Sequence, residues 1–317
     1  MLSKYLDPKN DVAFRKIFGT EKNKDILMHF LNDILGFSGS KQITSVTFLS
    51  TIQDPDIAAK KQSIVDVLCQ DDEGVRYIIE MQVAKTKGFE KRAQYYAAKA
   101  YSQQANRGDE YQNLKEIIFI AIADCTLFPE KTQYKSDHII LDRDSGEHDL
   151  KDFSFTFIEL PKFKKSNPKD LESITEKWCY FFKYAAETGP ECLKHVIGKD
   201  TIIEDAYEQL DRFYWTESEL MNYERELKRV RDEAAILAQK IDDATEKGIQ
   251  QGIQQGMQQG IQQGMQQGIQ QGMQQGIQQG SKETKFEIAR QLLGDGLDRA
   301  VIKRCTGLSD EELDSLA

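Results

Sequence analysis

Two short apolar runs, each with an acid inside it, limit what this chain can fold into more than any other feature. They are Ile64-Val65-Asp66-Val67-Leu68 and Tyr77-Ile78-Ile79-Glu80-Met81-Gln82-Val83. Each has the length and β-branched content of a buried strand. Between them, Asp71-Asp72-Glu73-Gly74-Val75 is a hairpin signal. A three-residue loop of Asp72, Glu73 and Gly74 places Gly74 at the left-handed position such loops prefer. Counting back from an Asp71–Val75 pair sets Asp66 directly opposite Glu80. Opposed residues in antiparallel strands share a face, with Cβ atoms roughly 4.5–5.5 Å apart. Gln82, two residues on, projects from that face too. Like charges so placed repel, and burial sharpens the conflict. A bound cation would turn it into a site, so the spacing reads as metal-binding. The competing reading is that a lone Asp in an apolar strand hydrogen-bonds a loop or pairs with Arg. Loop length matters here, because a two- or four-residue loop sends Asp66 and Glu80 to opposite faces.

Asp66 followed by Glu80-x-Gln82 on the next strand resembles the signature of the PD-(D/E)XK nuclease superfamily. The nearest likeness is to its recombination-promoting nuclease (Rpn) and transposase-like branch, which commonly has Gln where the superfamily name has Lys. The opening Asp7-Pro8-Lys9-Asn10-Asp11-Val12-Ala13-Phe14-Arg15-Lys16-Ile17-Phe18-Gly19 is similar to that branch's first helix. Arg92-Ala93-Gln94-Tyr95-Tyr96, then Tyr101-Ser102-Gln103-Gln104, is similar to the helix after the acidic strand, and Ile117 to Ile122 to the strand after that. The likeness covers most of the chain up to about Leu160 and rests on motif order. It implies an α/β, restriction-endonuclease-like mixed sheet flanked by helices, followed by a helical C-terminal region. It also implies a metal-dependent DNA endonuclease that hydrolyses phosphodiester bonds, with a link to recombination or mobile elements. Asp66, Glu80 and Gln82 are then the catalytic set. Asp66 and Glu80 hold Mg²⁺ or Mn²⁺, and Gln82 orients water or phosphate without the charge of Lys. Lys91, Arg92 and Lys99, with Tyr95 or Tyr96, hold the DNA backbone. The rival class is a non-catalytic, nuclease-like protein that binds DNA or another protein and assembles through its tail.

A net charge of −10 argues against nucleic acid as a partner, since DNA binders usually show a basic face. Distribution matters more: Lys85, Lys87, Lys91, Arg92 and Lys99 stand against Glu90 alone, directly after the acids. That strip suits phosphate positioning, and equally a solvated helix face. The five cysteines are scattered with no CxxC spacing, so neither a disulfide framework nor a structural zinc is expected. The opening residues lack an apolar leader core, and no run approaches the ~20 residues of a membrane span. A cytoplasmic protein without a membrane partner is expected.

Helices are expected around Val12–Phe18 and from Asp25 to Leu35, closed by Gly36, and a strand over Ile43 to Thr51. After the hairpin come a helix from Glu90 to about Asn106, a central strand over Glu116 to Ala123, and strands at His138–Leu141 and Phe153–Leu160. Helical patterns then cover Lys169–Ala186 and Thr201 to about Tyr214, with Trp178, Phe181 and Phe182 as core. These assignments divide the chain into a nuclease-like domain over residues 1–215, a spacer over 216–280 and a small helical module over 281–317.

The spacer contains eight tandem copies of Gly-(Ile/Met)-Gln-Gln from Gly248 to Gly280. A four-residue period advances about 400° on an ideal helix, so the apolar stripe drifts about 40° per copy. Each Gly costs about 0.8–1 kcal/mol relative to Ala. A frayed helix or spacer is expected, able to form a homo-oligomer through close contact at the glycines together with the C-terminal module. That module ends in a capping-box signature, Ser309-x-x-Glu312. Its three short helices suggest a helix-turn-helix. Asp310, Glu311, Glu312 and Asp314 would repel DNA, however, which favours a partner or oligomer module.

Overall fold

The computed structural model describes residues 3–53, 63–105, 110–198 and 200–316. Its first compact unit ends at Asp232 and its second begins at Glu233. In the first, α1 (Asp11–Phe18) and α2 (Lys24–Leu35) precede the strands β1 (Val46–Phe48), β2 (Ile52–Gln53), β3 (Ser63–Ile64), β4 (Val67–Asp71) and β5 (Arg76–Gln82). Then come α3 (Phe89–Ser102), β6 (Ile117–Ala123), β7 (Lys135–Ile139) and β8 (Phe153–Glu159). The helices α4 (Ile174–Tyr184), α5 (Pro190–Ile197) and α6 (Thr201–Leu210) follow.

Among the described residues six strands form one mixed sheet in the order β1-β4-β5-β6-β8-β7, and β2 pairs with β3 separately. The β4–β5 hairpin is antiparallel, whereas β5–β6 and β6–β8 are parallel. A parallel neighbour needs a crossover, and α3 supplies it between β5 and β6. β6 is buried along its whole length, as its unbroken apolar run requires at the centre of a doubly covered sheet.

Side-chain alternation divides the core in two. Tyr77, Ile79, Met81, Ile118, Ile120 and Ile122 face the helical layer, where Phe14, Phe18, Phe30, Trp178 and Phe182 interlock. Ile78, Phe119, Ala121 and Phe157 face α3, whose Ala93, Ala97 and Ala100 allow close approach. Glu80 and Gln82, in phase with Ile78, belong to the α3 side.

The strand expected over Ile43–Thr51 is reduced to Val46–Phe48, because only these residues find ladder partners on β4. The helix expected from Glu90 ends at Ser102, and Asn106 lies outside the described residues. The first unit also runs past the boundary at residue 215. Helix α7 (Glu217–Gly294) begins inside it, and Trp215 and Tyr223 are buried in its core. Tyr223 holds the segment leading into α1: its hydroxyl accepts from the Asp7 N–H at 3.0 Å, and its carbonyl accepts from Asn10 Nδ2 at 3.3 Å.

The repeat tract is helical throughout rather than frayed. Two glutamines per glycine are good helix formers, and extending an existing helix avoids the nucleation cost. In the second unit the end of α7, α8 (Arg299–Thr306) and α9 (Asp310–Asp314) enclose a small core of Ala289, Ile302, Leu308 and Leu313. No helix among the described residues is long and apolar enough to cross a membrane.

Candidate active site

The hairpin register places the acids as the loop count requires. Val67 pairs with Ile79, Leu68 with Ile78, Cys69 with Tyr77 and Gln70 with Arg76. One step beyond Val67–Ile79, Asp66 meets Glu80. The loop closes with the Asp71 N–H donating to the Val75 carbonyl at 3.0 Å. Gly74 sits at φ +87°, a conformation an L side chain rarely adopts.

Asp66 lies just before β4 begins, at the end of the sheet where its backbone is released from the ladder. Its N–H donates to Glu80 Oε1 at 3.1 Å, and its Oδ2 accepts from the Met81 N–H at 3.0 Å. The two acids are thus tied to each other's strands. Both are largely enclosed: Glu80 is 6% exposed and the Asp66 side chain 12%. Burial, and next the nearby charge of Asp66, push the Glu80 carboxyl well above the usual range, while Arg92 and Arg15 oppose that rise.

Gln82 is also buried, and its amide is engaged at both ends. Nε2 donates to the Ala84 carbonyl and Oε1 accepts from Arg92 Nη2. Of the residues expected to hold a DNA backbone, the structure brings Arg92 to Gln82. Lys91 and Tyr95 lie on the exposed side of α3, Lys99 is partly buried nearly two turns further on, and Tyr96 packs under the Arg92 guanidinium.

The sequence reading assigned no role to two further residues here. Arg15 of α1 donates through Nη2 to Asp66 Oδ1 at 3.0 Å. Asp11, one turn earlier, has its carboxyl pushed up by burial and then by Asp66 and Glu226, with Arg15 and Arg229 opposing. Arg229 of α7 lies 3.9 Å from Asp11. Asp11 and Arg15 stand four apart on a helix otherwise buried through Ala13, Phe14, Ile17 and Phe18. Polar residues on one face at that spacing were the available signal.

The donor set fits a hard divalent ion. Two carboxylates share one face, and Mg²⁺ ordinarily takes one or two carboxylates plus waters and phosphate. Among the described residues no cluster of three or more Asp, Glu, His or Cys forms a full protein cage.

A mixed sheet with helices on both faces, bearing Glu80 on β5 and Asp66 just before β4, is the architecture of a nuclease-like core. Comparison with known families agrees. Residues 8–240 match the model described as PD-(D/E)XK nuclease family transposase. The chain belongs to that family. Residues 282–317 match a second model, the C-terminal HTH domain of the Rpn/YhgA-like nuclease family. No curated protein and no solved structure matches.

The second match supports the helix-turn-helix reading of the tail, which its acids had argued against. The acids that argued against DNA are largely paired within the module. Asp310 binds Lys303, Asp314 binds Arg299, and Glu312 closes the capping box on Ser309. Asp310 and Asp314 therefore each have a basic partner inside the module.

Proposed function

We propose that this chain is a metal-dependent DNA endonuclease that hydrolyses phosphodiester bonds, acting in the cytoplasm in DNA recombination or on mobile elements. The observation that carries this reading is the facing pair Asp66 and Glu80, enclosed on adjacent strands with Glu80 driven toward its neutral form. Asp66 and Glu80 would hold Mg²⁺ or Mn²⁺. When bound, the ion supplies positive charge for the phosphate and an activated water. The Met81 N–H fixes one oxygen of Asp66, and Arg15 must yield or share the other. Lys91, Arg92, Tyr95 and Lys99 serve the DNA backbone, and the C-terminal domain adds a second DNA contact. The exposed Ile/Met positions of the repeat helix, from Ile249 to Ile277, offer a surface for self-association.

Cleavage of plasmid DNA by purified protein in magnesium or manganese, with loss of cleavage in an Asp66 variant, tests this. A second reading, a non-catalytic nuclease-like factor that binds DNA or protein, is favoured by one observation. Gln82 replaces the signature Lys and is already bonded at both ends. That reading expects DNA binding without cleavage and no dependence on divalent ions.

A further inference from the structure

Gln82 stands where the superfamily signature carries a lysine, yet a cation is present beside it. Arg92, in the first turns of α3, donates from Nη2 to Gln82 Oε1. Its guanidinium carbon lies 4.8 Å from the centre of the Phe89 ring and 5.9 Å from that of Tyr96. Those residues are three before and four after Arg92, so both rings share its helix face. Its Nε is buried with no hydrogen-bond partner among the described residues. Arg15 differs, being bonded directly to Asp66. Arg92 is instead held by rings and a neutral amide, and among the described residues it forms no ion pair with a carboxylate. Its charge is nevertheless close enough to oppose the rise of the Glu80 carboxyl.

We propose that Arg92, braced by the Gln82 amide, supplies at the reacting phosphate the positive charge that a lysine at position 82 would carry. Gln82 is then a positioning residue for Arg92 rather than an orienter of water. A guanidinium fixed by stacking and one hydrogen bond is preorganised, and its remaining N–H groups match the forked geometry of phosphate oxygens. The inference rests on the nuclease reading above and sharpens one residue of it.

The test uses the full chain and two readouts. One is the dissociation constant for thymidine 3′,5′-bisphosphate in magnesium, measured by titration calorimetry; this probe is too small to engage a helix-turn-helix. The other is the rate of plasmid cleavage. Arg92→Gln should weaken bisphosphate binding by roughly tenfold to a hundredfold, the range for a charged hydrogen bond. Arg92→Lys should lose less. The double variant Gln82→Lys/Arg92→Gln should recover most of the loss, because the charge returns by the shorter route. Unfolding midpoints confirm that each variant is folded, and Arg92→Lys serves if Arg92→Gln is not.

Parent-like binding by folded Arg92 variants overturns the proposal, as does a parent that does not bind the bisphosphate. Failure of Gln82→Lys to restore binding overturns the equivalence of the two positions. Arg92-dependent binding without cleavage by the parent would sink the nuclease reading and keep only the phosphate-binding part of this inference. Cleavage unaffected at Arg92 would do the reverse.

Discussion

Asp66 and Glu80 are bound to each other's strands: the Asp66 N–H donates to the Glu80 carboxylate at 3.1 Å, and the Asp66 carboxylate accepts from the Met81 N–H at 3.0 Å. This reciprocal pairing holds two carboxyl groups together at one end of the sheet. An ion bound between the acids stabilises the folded chain by linkage. At a hundredfold excess over its dissociation constant that is about 2.7 kcal/mol. Magnesium or manganese should therefore raise the unfolding midpoint by roughly 5–10 °C. Glu80→Gln should abolish the response, and an equal shift in that variant would remove Glu80 from the ion's ligands.

Without metal, Glu80 should make stability fall as pH rises. Its folded pKa is raised from 4.5 to about 8, so over that interval the native state keeps a proton that the unfolded state has released. The contribution is fully present below about pH 4.5 and is lost by about pH 8. Midpoints measured in chelator should decline across this window in the parent and decline less in Glu80→Gln. Identical slopes would mean that Glu80 titrates normally.

Truncation should separate the two ends of α7. A chain ending after Asp232 keeps Trp215, Tyr223 and the α7 contacts to α1, and should fold and cleave as the full chain does per molecule. A chain ending after Tyr214 loses both buried aromatics and the Tyr223 bonds to Asp7 and Asn10. Loss of one such aromatic costs about 3–5 kcal/mol. Urea unfolding of the two fragments measures this, and equal midpoints would show that α7 adds nothing to the first unit.

In the repeat tract, a Cβ added at any glycine from Gly248 to Gly280 meets open space. Replacing Gly256, Gly260 and Gly264 with Ala should raise helix stability by about 0.8–1 kcal/mol per site. If copies associate through close backbone contact at these glycines, the same change should lower the apparent mass in sedimentation. Higher helicity with an unchanged mass would detach the glycines from assembly.

The hairpin and its register were legible because a local count fixes them. One glycine at the left-handed position sets the loop length, and the loop length sets which acid faces which. The central position of β6 was legible because no polar residue interrupts Ile117–Ala123. Arg15 and Arg229 were not, since their roles depend on contacts with residues far away in the chain, and sequence spacing carries no such information. Helix α5 falls in the gap left between Ala186 and Thr201: Gly-Pro is a common helix stop, whereas here Pro190 opens a helix at its first position. The helix-turn-helix of the tail was discounted because Asp310 and Asp314 were counted without the Lys303 and Arg299 that pair with them.

Cleavage of supercoiled plasmid by the full-length protein tests the nuclease assignment most directly, with Asp66→Asn beside it because that change keeps the shape of the side chain. The parent should nick or linearise the plasmid in magnesium or manganese and stop in chelator. Asp66→Asn, folded by its melting curve, should be slower by roughly a hundredfold or more. Equal cutting by Asp66→Asn, or undiminished cutting in chelator, would contradict the assignment.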